Sequence, residues 1–268
     1  MFRTILASVA ALYLGGHPAA ACSVAALTQV DAIYPSGRAI PENILRLYLY
    51  FTAPMGEADI LPHISLVRAD GLVIDDAFLE NRFDLWSPDR TRLTLLFDPA
   101  RVKTGLEAHE ALGRALIAGE SYELRVDTGA ADAQGCPLAA PFSHSYVAVA
   151  SDVEPPDPRD WAFDTPQADT IEPLRIVLGS SHDHASMAFR IQVWRDGERL
   201  PGRVELGTDE TAWIFTPRRA WATERHEIRI EEELEDLAGN RPGQLFDQPV
   251  GVELPMPQLS LSFLPGQS

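Results

Sequence analysis

Short runs in which apolar and polar side chains alternate residue by residue recur along nearly the whole chain. A period of two is that of a strand with one face sheltered and one face wet. Leu45, Leu47, Leu49 and Phe51 point one way while Arg46, Tyr48 and Tyr50 point the other. Leu93-Leu95-Phe97 and Tyr122-Leu124-Val126 repeat the pattern, the latter against Glu123, Arg125 and Asp127, and Ser143-Ser145 interleave with Phe142, His144 and Tyr146. Further on come Leu174-Ile176-Leu178, Phe189-Ile191-Val193, Val204-Leu206, Trp213-Phe215 and Ile228-Ile230. Helical periodicity is nearly absent. Between the runs stand Pro35-Ser36-Gly37, Asp70-Gly71, Ser87-Pro88-Asp89, Asp196-Gly197 and Pro201-Gly202, residues whose preset or positive backbone dihedrals reverse the chain. Many brief strands at this spacing predict a β-sandwich.

The chain also repeats itself. TRLTLLFDP (91–99), GESYELRVD (119–127), DAQGCPL (132–138) and Pro141-Phe142 follow one another in the same order as TAWIFTP (211–217), RHEIRIEE (225–232), DLAGNRP (236–242) and Leu245-Phe246. The first copy carries surplus residues around Val102 to Leu116. An acidic, proline-rich stretch from Ser151 to Pro158 separates the copies and cannot pair like a central strand. The organisation predicted is a leader at 1–21, an Ig-like domain at 28–150, a linker at 151–160, a second Ig-like domain at 161–254, and a tail at 255–268 that either adds a strand or stays irregular.

The leader changes where the protein works. Arg3, an apolar run from Thr4 to Gly16 and Ala19-Ala20-Ala21 form a signal peptide, and that run is too short to span a bilayer. Export to the periplasm or outer cell envelope follows. Only two cysteines occur, Cys22 and Cys136. Ala-Ala-Ala-Cys is similar to a lipobox, which would make Cys22 a lipidated amino terminus, although Ala19 stands where lipoboxes favour Leu. Otherwise Cys22 pairs with Cys136 in an oxidising compartment, or both remain thiols. The formal net charge of −17 repels phosphate backbones and anionic headgroups, which excludes nucleic acid and leaves a lipid anchor as the only membrane attachment expected.

Segment 34–56, with its Pro/Gly turn, strand and Phe51-Thr52-Ala53-Pro54-Met55 element, resembles the opening of bacterial Ig-like domains of the S-layer-associated type. DAQGCPL and LEDLAGNRP (234–242) resemble the Asp-x-x-Gly-Asn turn near the end of such domains, with Cys136 in place of the Asn in the first copy. LWSPDRTRLTLLFDPARVKTGL (85–106) and WIFTPRRAW (213–221) look like a family of exported bacterial proteins. The resemblance implies fold and compartment and brings no activity.

Candidate chemistry is sparse. His182, His184 and Met187 supply imidazole and thioether ligands that suit copper or zinc, so a periplasmic copper carrier is an alternative reading, against which stands a plain polar crossover between strands. Such carriers have a His at the mature amino terminus, and Cys22-Ser23 departs from that. Asp75-Asp76, Glu231-Glu232-Glu233 and Glu235-Asp236 offer hard oxygen ligands for calcium without EF-hand spacing. No nucleophile elbow, zinc-protease helix, P-loop or dinucleotide fingerprint occurs. A hydrolase using two carboxylates remains a further alternative, and Trp161, Trp194, Trp213 and Trp221 form either a sugar platform or core. Leu106, Glu107, His109 and Glu110, in the surplus segment, mark a candidate binding loop. The reading is an all-β, non-enzymatic pair of tandem Ig-like sandwiches, without cofactor, that binds or spaces an envelope protein or glycan; its oligomeric state is left open.

Overall fold

A computed structural model describes residues 22, 27–79, 85–104, 110, 112–248 and 251–266. The predicted leader, and Leu106, Glu107 and His109 of the predicted binding loop, lie outside the described residues.

The alternating runs become strands of two stacked pairs of sheets. In the first sandwich β1 (Val30–Tyr34), β3 (Arg46–Phe51) and β5 (Arg92–Leu96) form one sheet in that order. The facing sheet runs β2 (Ala39–Pro41), β7 (Phe142–Val149), β6 (Ser121–Val126) and β4 (Ile64–Arg68), with β2 parallel to β7 and its other neighbours antiparallel. Register places Leu47 opposite Leu95 and Leu49 opposite Leu93, and the other sheet places Leu66 opposite Leu124. All six are buried in one apolar cluster with Phe97, Tyr122 and Val126. Each such side chain contributes roughly 1.5–3 kcal/mol by leaving water.

The second sandwich repeats the plan. One sheet runs β12 (Gly202–Leu206), β13 (Ala212–Pro217), β9 (Leu174–Val177) and β8 (Ala162–Asp164); the other runs β11 (Glu198–Arg199), β10 (Ile191–Arg195), β14 (His226–Ile230) and β15 (Ser260–Phe263). Strand for strand, β8-β9-β13 matches β1-β3-β5, and β10-β14-β15 matches β4-β6-β7. Two antiparallel sheets with this order are the ABED and CFG sheets of an immunoglobulin-type sandwich. Trp161, Leu174, Ile176, Trp213, Phe215, Trp221 and Ile228 fill the second core, so three of the four tryptophans weighed as a sugar platform are core. The fourth, Trp194, lies under the Arg229 guanidinium.

The repeated Asp-x-x-Gly turn is the same object in both copies. Asp132 Oδ1 accepts from the backbone N–H groups of Gln134 and Cys136 at 2.9 Å, and Asp236 Oδ1 accepts from those of Ala238 and Asn240 at 2.8 and 2.9 Å. Gly135 and Gly239 both sit at φ 78°. The fifth residue differs in means. Asn240 ties its turn down with its side chain, Nδ2 donating to Asp236 Oδ2 and Oδ1 accepting from the Phe246 N–H. Cys136 does so covalently, through a disulfide to Cys22.

Those glycines make a paired prediction. A Cβ on Gly135 would meet nothing within 4 Å, whereas one on Gly239 would stand 2.6 Å from Leu45 Cδ2 of the first sandwich. Gly135→Ala is expected to cost the left-handed backbone penalty alone, about 1–2 kcal/mol. Gly239→Ala adds overpacking of about 1–3 kcal/mol. Equal losses of stability in chemical denaturation would contradict the close approach.

Three expectations need correction. Phe189 does not open a strand; it lies in a short helix, α1 (His184–Arg190), capped by Asp183, and is 63% exposed. The bound of the second domain at 254 moves outward, because the added strand, one of the two alternatives for 255–268, forms as β15 and pairs with β14. Tyr48, predicted to face water, is buried.

Candidate functional site

Tyr48 is buried because the outer face of β3 meets the second sandwich. Its hydroxyl donates to the Asp183 carboxylate at 2.8 Å. The Asp183 carboxylate also accepts from the Ser186 N–H at 2.8 Å as the cap of α1, and Arg46 Nε lies 3.7 Å from it. The Arg46 guanidinium donates as well to Glu235, whose other oxygen accepts from Arg241 at 2.6 and 3.0 Å. Asp183 and Glu235 are both buried, 4% and 8% exposed, which means that two carboxylates of the second sandwich share a cation contributed by the first. Burial pushes the Tyr48 hydroxyl well above the usual phenol range, with the Asp183 charge second, so it stays a donor. Burial likewise raises Asp183, and the Arg46 charge opposes it.

Around this clamp the contact continues. His184 stacks on Tyr34 with ring centroids 3.4 Å apart and meets Tyr50 edge-on at 5.7 Å. Glu210 accepts from the Ser36 N–H at 2.9 Å and the Ser36 hydroxyl at 2.7 Å. The Leu45 N–H donates to the Leu237 carbonyl, and Leu237 and Phe246 pack on the first core. Asn43 and Asp152 exchange two bonds at 2.8 and 2.9 Å, and Asn240 donates to the same Asp152 carbonyl, which pins the connecting stretch against both sandwiches.

The predicted metal set does not assemble as a ligand cluster. His182 is fully buried beside Trp161, its Nδ1–H donating to the Ser180 carbonyl, and it bridges to Asp236 as Met55 bridges to Asp132. His182 is thus the second copy's counterpart of the Pro-Met corner. His184 belongs to the aromatic contact, and Met187 is core. Burial pushes both imidazoles down to about 4. The acidic runs weighed for calcium also disperse: Glu231 and Glu233 pair with Arg190, Glu235 serves the clamp and Asp236 caps its turn. Among the described residues no three His, Cys, Asp or Glu side chains gather to hold a metal.

Cys22, expected either to carry lipid or to pair with Cys136, is disulfide-bonded to Cys136. Glu110 of the predicted binding loop is exposed. Nearby, the Arg101 guanidinium donates to the carbonyls of Gly113 and Asp75, Thr104 bonds Asp247 at 2.7 Å and Lys103 lies over the Phe246 ring, so the start of the surplus segment reaches the second half of the chain. Sequence reading missed Arg46, Tyr48 and Glu210, and weighed Asp183 only as a carboxylate beside His182 and His184. The one signal present was a short polar stretch, Arg46, Tyr48 and Tyr50, rich in tyrosine for a wet strand face.

Burial, followed by the neighbouring Asp152 carboxylate, pushes Asp236 up to about 7. A carboxyl that holds its proton more tightly when folded stabilises the fold at low pH, and that contribution is lost as pH rises towards 7. His182 and His184 act oppositely, because the unfolded chain takes up their protons first, and stability rises with pH from about 4 to 6.5. Asp236→Asn removes the first effect only. Its melting temperature is therefore expected to climb more steeply than the wild type's from about pH 4.5 to 6.5; parallel curves would contradict the protonated Asp236.

No protein-family model and no curated protein matches the chain. Among solved structures it is similar to native alpha-2-macroglobulin from Escherichia coli spanning domains MG0-NIE-MG1, at TM-score 0.30 and 10% identity over 77% of this chain and 66% of that one. It is similar also to the S-layer protein rSbsC, at TM-score 0.29 and 10% identity over 76% and 23%. A mouse coronavirus receptor-binding domain complexed with its murine receptor gives TM-score 0.18 and 10% identity over 76% and 92%. The chain spans just under two thirds of the first of these and under a quarter of the second. The fold assignment rests on strand order. Among the described residues no helix is long and apolar enough to cross a membrane.

Proposed function

We propose that this chain is a non-catalytic module of the cell envelope, two Ig-like sandwiches fixed to one another so that they act as a spacer presenting end loops and edge strands to an envelope protein or glycan. The observation that supports it is the clamp of Arg46 and Tyr48 with Asp183, Glu235 and Arg241. Ordinary interdomain contacts are polar and permit hinge motion. Here the buried carboxylates Asp183 and Glu235 take a cation from across the boundary, the half-buried Arg46, so opening the junction would give up both of those ion pairs and the Tyr48 hydrogen bond at once. A catalytic pair of carboxylates needs a cleft and water; Asp183 and Glu235 converge on an arginine under the opposite sandwich. Export follows the leader, and the Cys22 disulfide favours a protein free of lipid within the envelope.

Cell fractionation with intact mass tests the compartment and the state of Cys22. The reading expects an envelope-fraction protein, cut before Cys22, lighter than the reduced chain by two hydrogens. A cytoplasmic protein or a diacylglyceryl adduct would defeat it. Turnover of polysaccharide or peptide libraries by the purified chain would defeat the non-catalytic part.

A further inference from the structure

A second feature lies away from the junction. On one side of the second sandwich the edge strands β11 and β12, joined through Leu200-Pro201, leave an open slot of about 330 Å³ between the sheets, lined by Val193, Leu200, Val204, Trp213 and Phe215. That volume is at the small end of ligand pockets. Trp213 and Phe215 lie parallel, centroids 5.7 Å apart, and Gly202 makes room for the Phe215 ring, since a Cβ there would meet it at 2.3 Å. Trp213 is fully buried, yet its indole Nε1–H has no acceptor among the described residues. A buried donor left unpaired is costly.

The rim is as informative as the walls. Arg199 and Arg218 border the slot, both are exposed, and neither has an acidic partner among the described residues. On the neighbouring strand, by contrast, Arg203 pairs with Glu205, and Arg229 pairs with Glu227. Apolar walls and two unpaired guanidiniums at the mouth describe a ligand with a slender apolar body and one carboxylate head. A two-chain phospholipid is too bulky for this slot.

We propose that the slot binds a single-chain aliphatic carboxylate, its chain between the sheets against Trp213 and Phe215 and its head between Arg199 and Arg218. The site stands independently of the spacer reading, because it uses the second sandwich alone.

Decanoate, titrated into the full mature chain below its aggregation concentration, is the probe. Saturable 1:1 binding by calorimetry is expected, together with a shift of the Trp213 indole N–H resonance that exceeds those of Trp86, Trp161, Trp194 and Trp221. Decanol should bind more weakly. The double reversal Arg199→Glu/Arg218→Glu, at exposed positions, should weaken decanoate at least tenfold, leave decanol unchanged and leave the melting curve in place. Val204→Phe, which fills the slot, should weaken both ligands. No saturable binding, a shift centred on another tryptophan, or decanoate affinity untouched by the charge reversal would overturn the proposal. Any of these would leave the junction and the compartment as they stand.

Discussion

Arg46→Ala is expected to destabilise the protein by about 3–5 kcal/mol, because it removes the cation shared by two buried carboxylates, leaving Asp183 with no cation and Glu235 with Arg241 alone. The number is large for a single polar side chain. A surface ion pair is worth only about 0–1 kcal/mol, and the ion pairs on the outer strands, such as Arg203 with Glu205, belong to that class. The difference is desolvation. Asp183 and Glu235 lie beneath the opposite sandwich, where solvent cannot replace the lost guanidinium. For a chain of this length each kcal/mol moves the melting temperature about 2–4 °C, so a fall on the order of 10 °C is the expected readout. The change should also loosen the junction. Limited proteolysis should then cut the connecting stretch at 151–160, which the Asn43, Asp152 and Asn240 bonds otherwise hold down. Thermal unfolding of Arg46→Ala within 1–2 °C of wild type would contradict the clamp, and Asp183→Asn in the Arg46→Ala background should recover part of the loss, as a cycle on a coupled pair does.

Removing the disulfide is the other large effect. Cys22 and Cys136 are 114 residues apart in sequence, and a bridge closing so long a loop stabilises by about 2–5 kcal/mol through the unfolded chain. It fastens the start of the mature chain to the Asp132 turn, where Thr28 also bonds Asp132 at 3.0 Å and the Ala139 N–H donates to the Thr28 carbonyl. Cys22→Ser/Cys136→Ser is therefore expected to lower the melting temperature by roughly 5–15 °C. Wild type under strong reductant should behave alike. A double variant as stable as wild type, with reductant having no effect, would show that the sulfurs are not joined.

The strands and their repeat were legible because side-chain alternation is a local property that survives in any sheet context. Leu47 and Leu49, Leu93 and Leu95, and Tyr122 and Leu124 read inward from sequence and are inward in the fold. So was the correspondence between DAQGCPL and DLAGNRP, since an Asp cap and a left-handed glycine demand those residues at that spacing. The junction was illegible for the opposite reason. Whether the polar face of β3 meets water or another sandwich depends on how two separately folded units dock, and nothing local to Arg46 or Tyr48 encodes that. Whether His182, His184 and Met187 face one another was not legible, because proximity in sequence carries no direction. A strand end followed by a helix start sends the three into a core corner, an aromatic stack and a core. The part taken by His226 was hidden similarly. Tyr122 accepts the Ile117 N–H at 2.9 Å, and His226, at the matching place in β14, donates from Nδ1 to the Glu224 carbonyl at 2.8 Å, a role that an isolated histidine gives no sign of.

Residual dipolar couplings, measured on backbone amides of both sandwiches in one weakly aligned sample of the oxidised mature chain, test the locked junction most directly. A single alignment tensor fitting β3, β6, β10 and β14 together is the predicted result. Two tensors of different magnitude, one for each sandwich, would mean that they tumble separately and that Arg46, Tyr48, Asp183 and Glu235 do not hold them together.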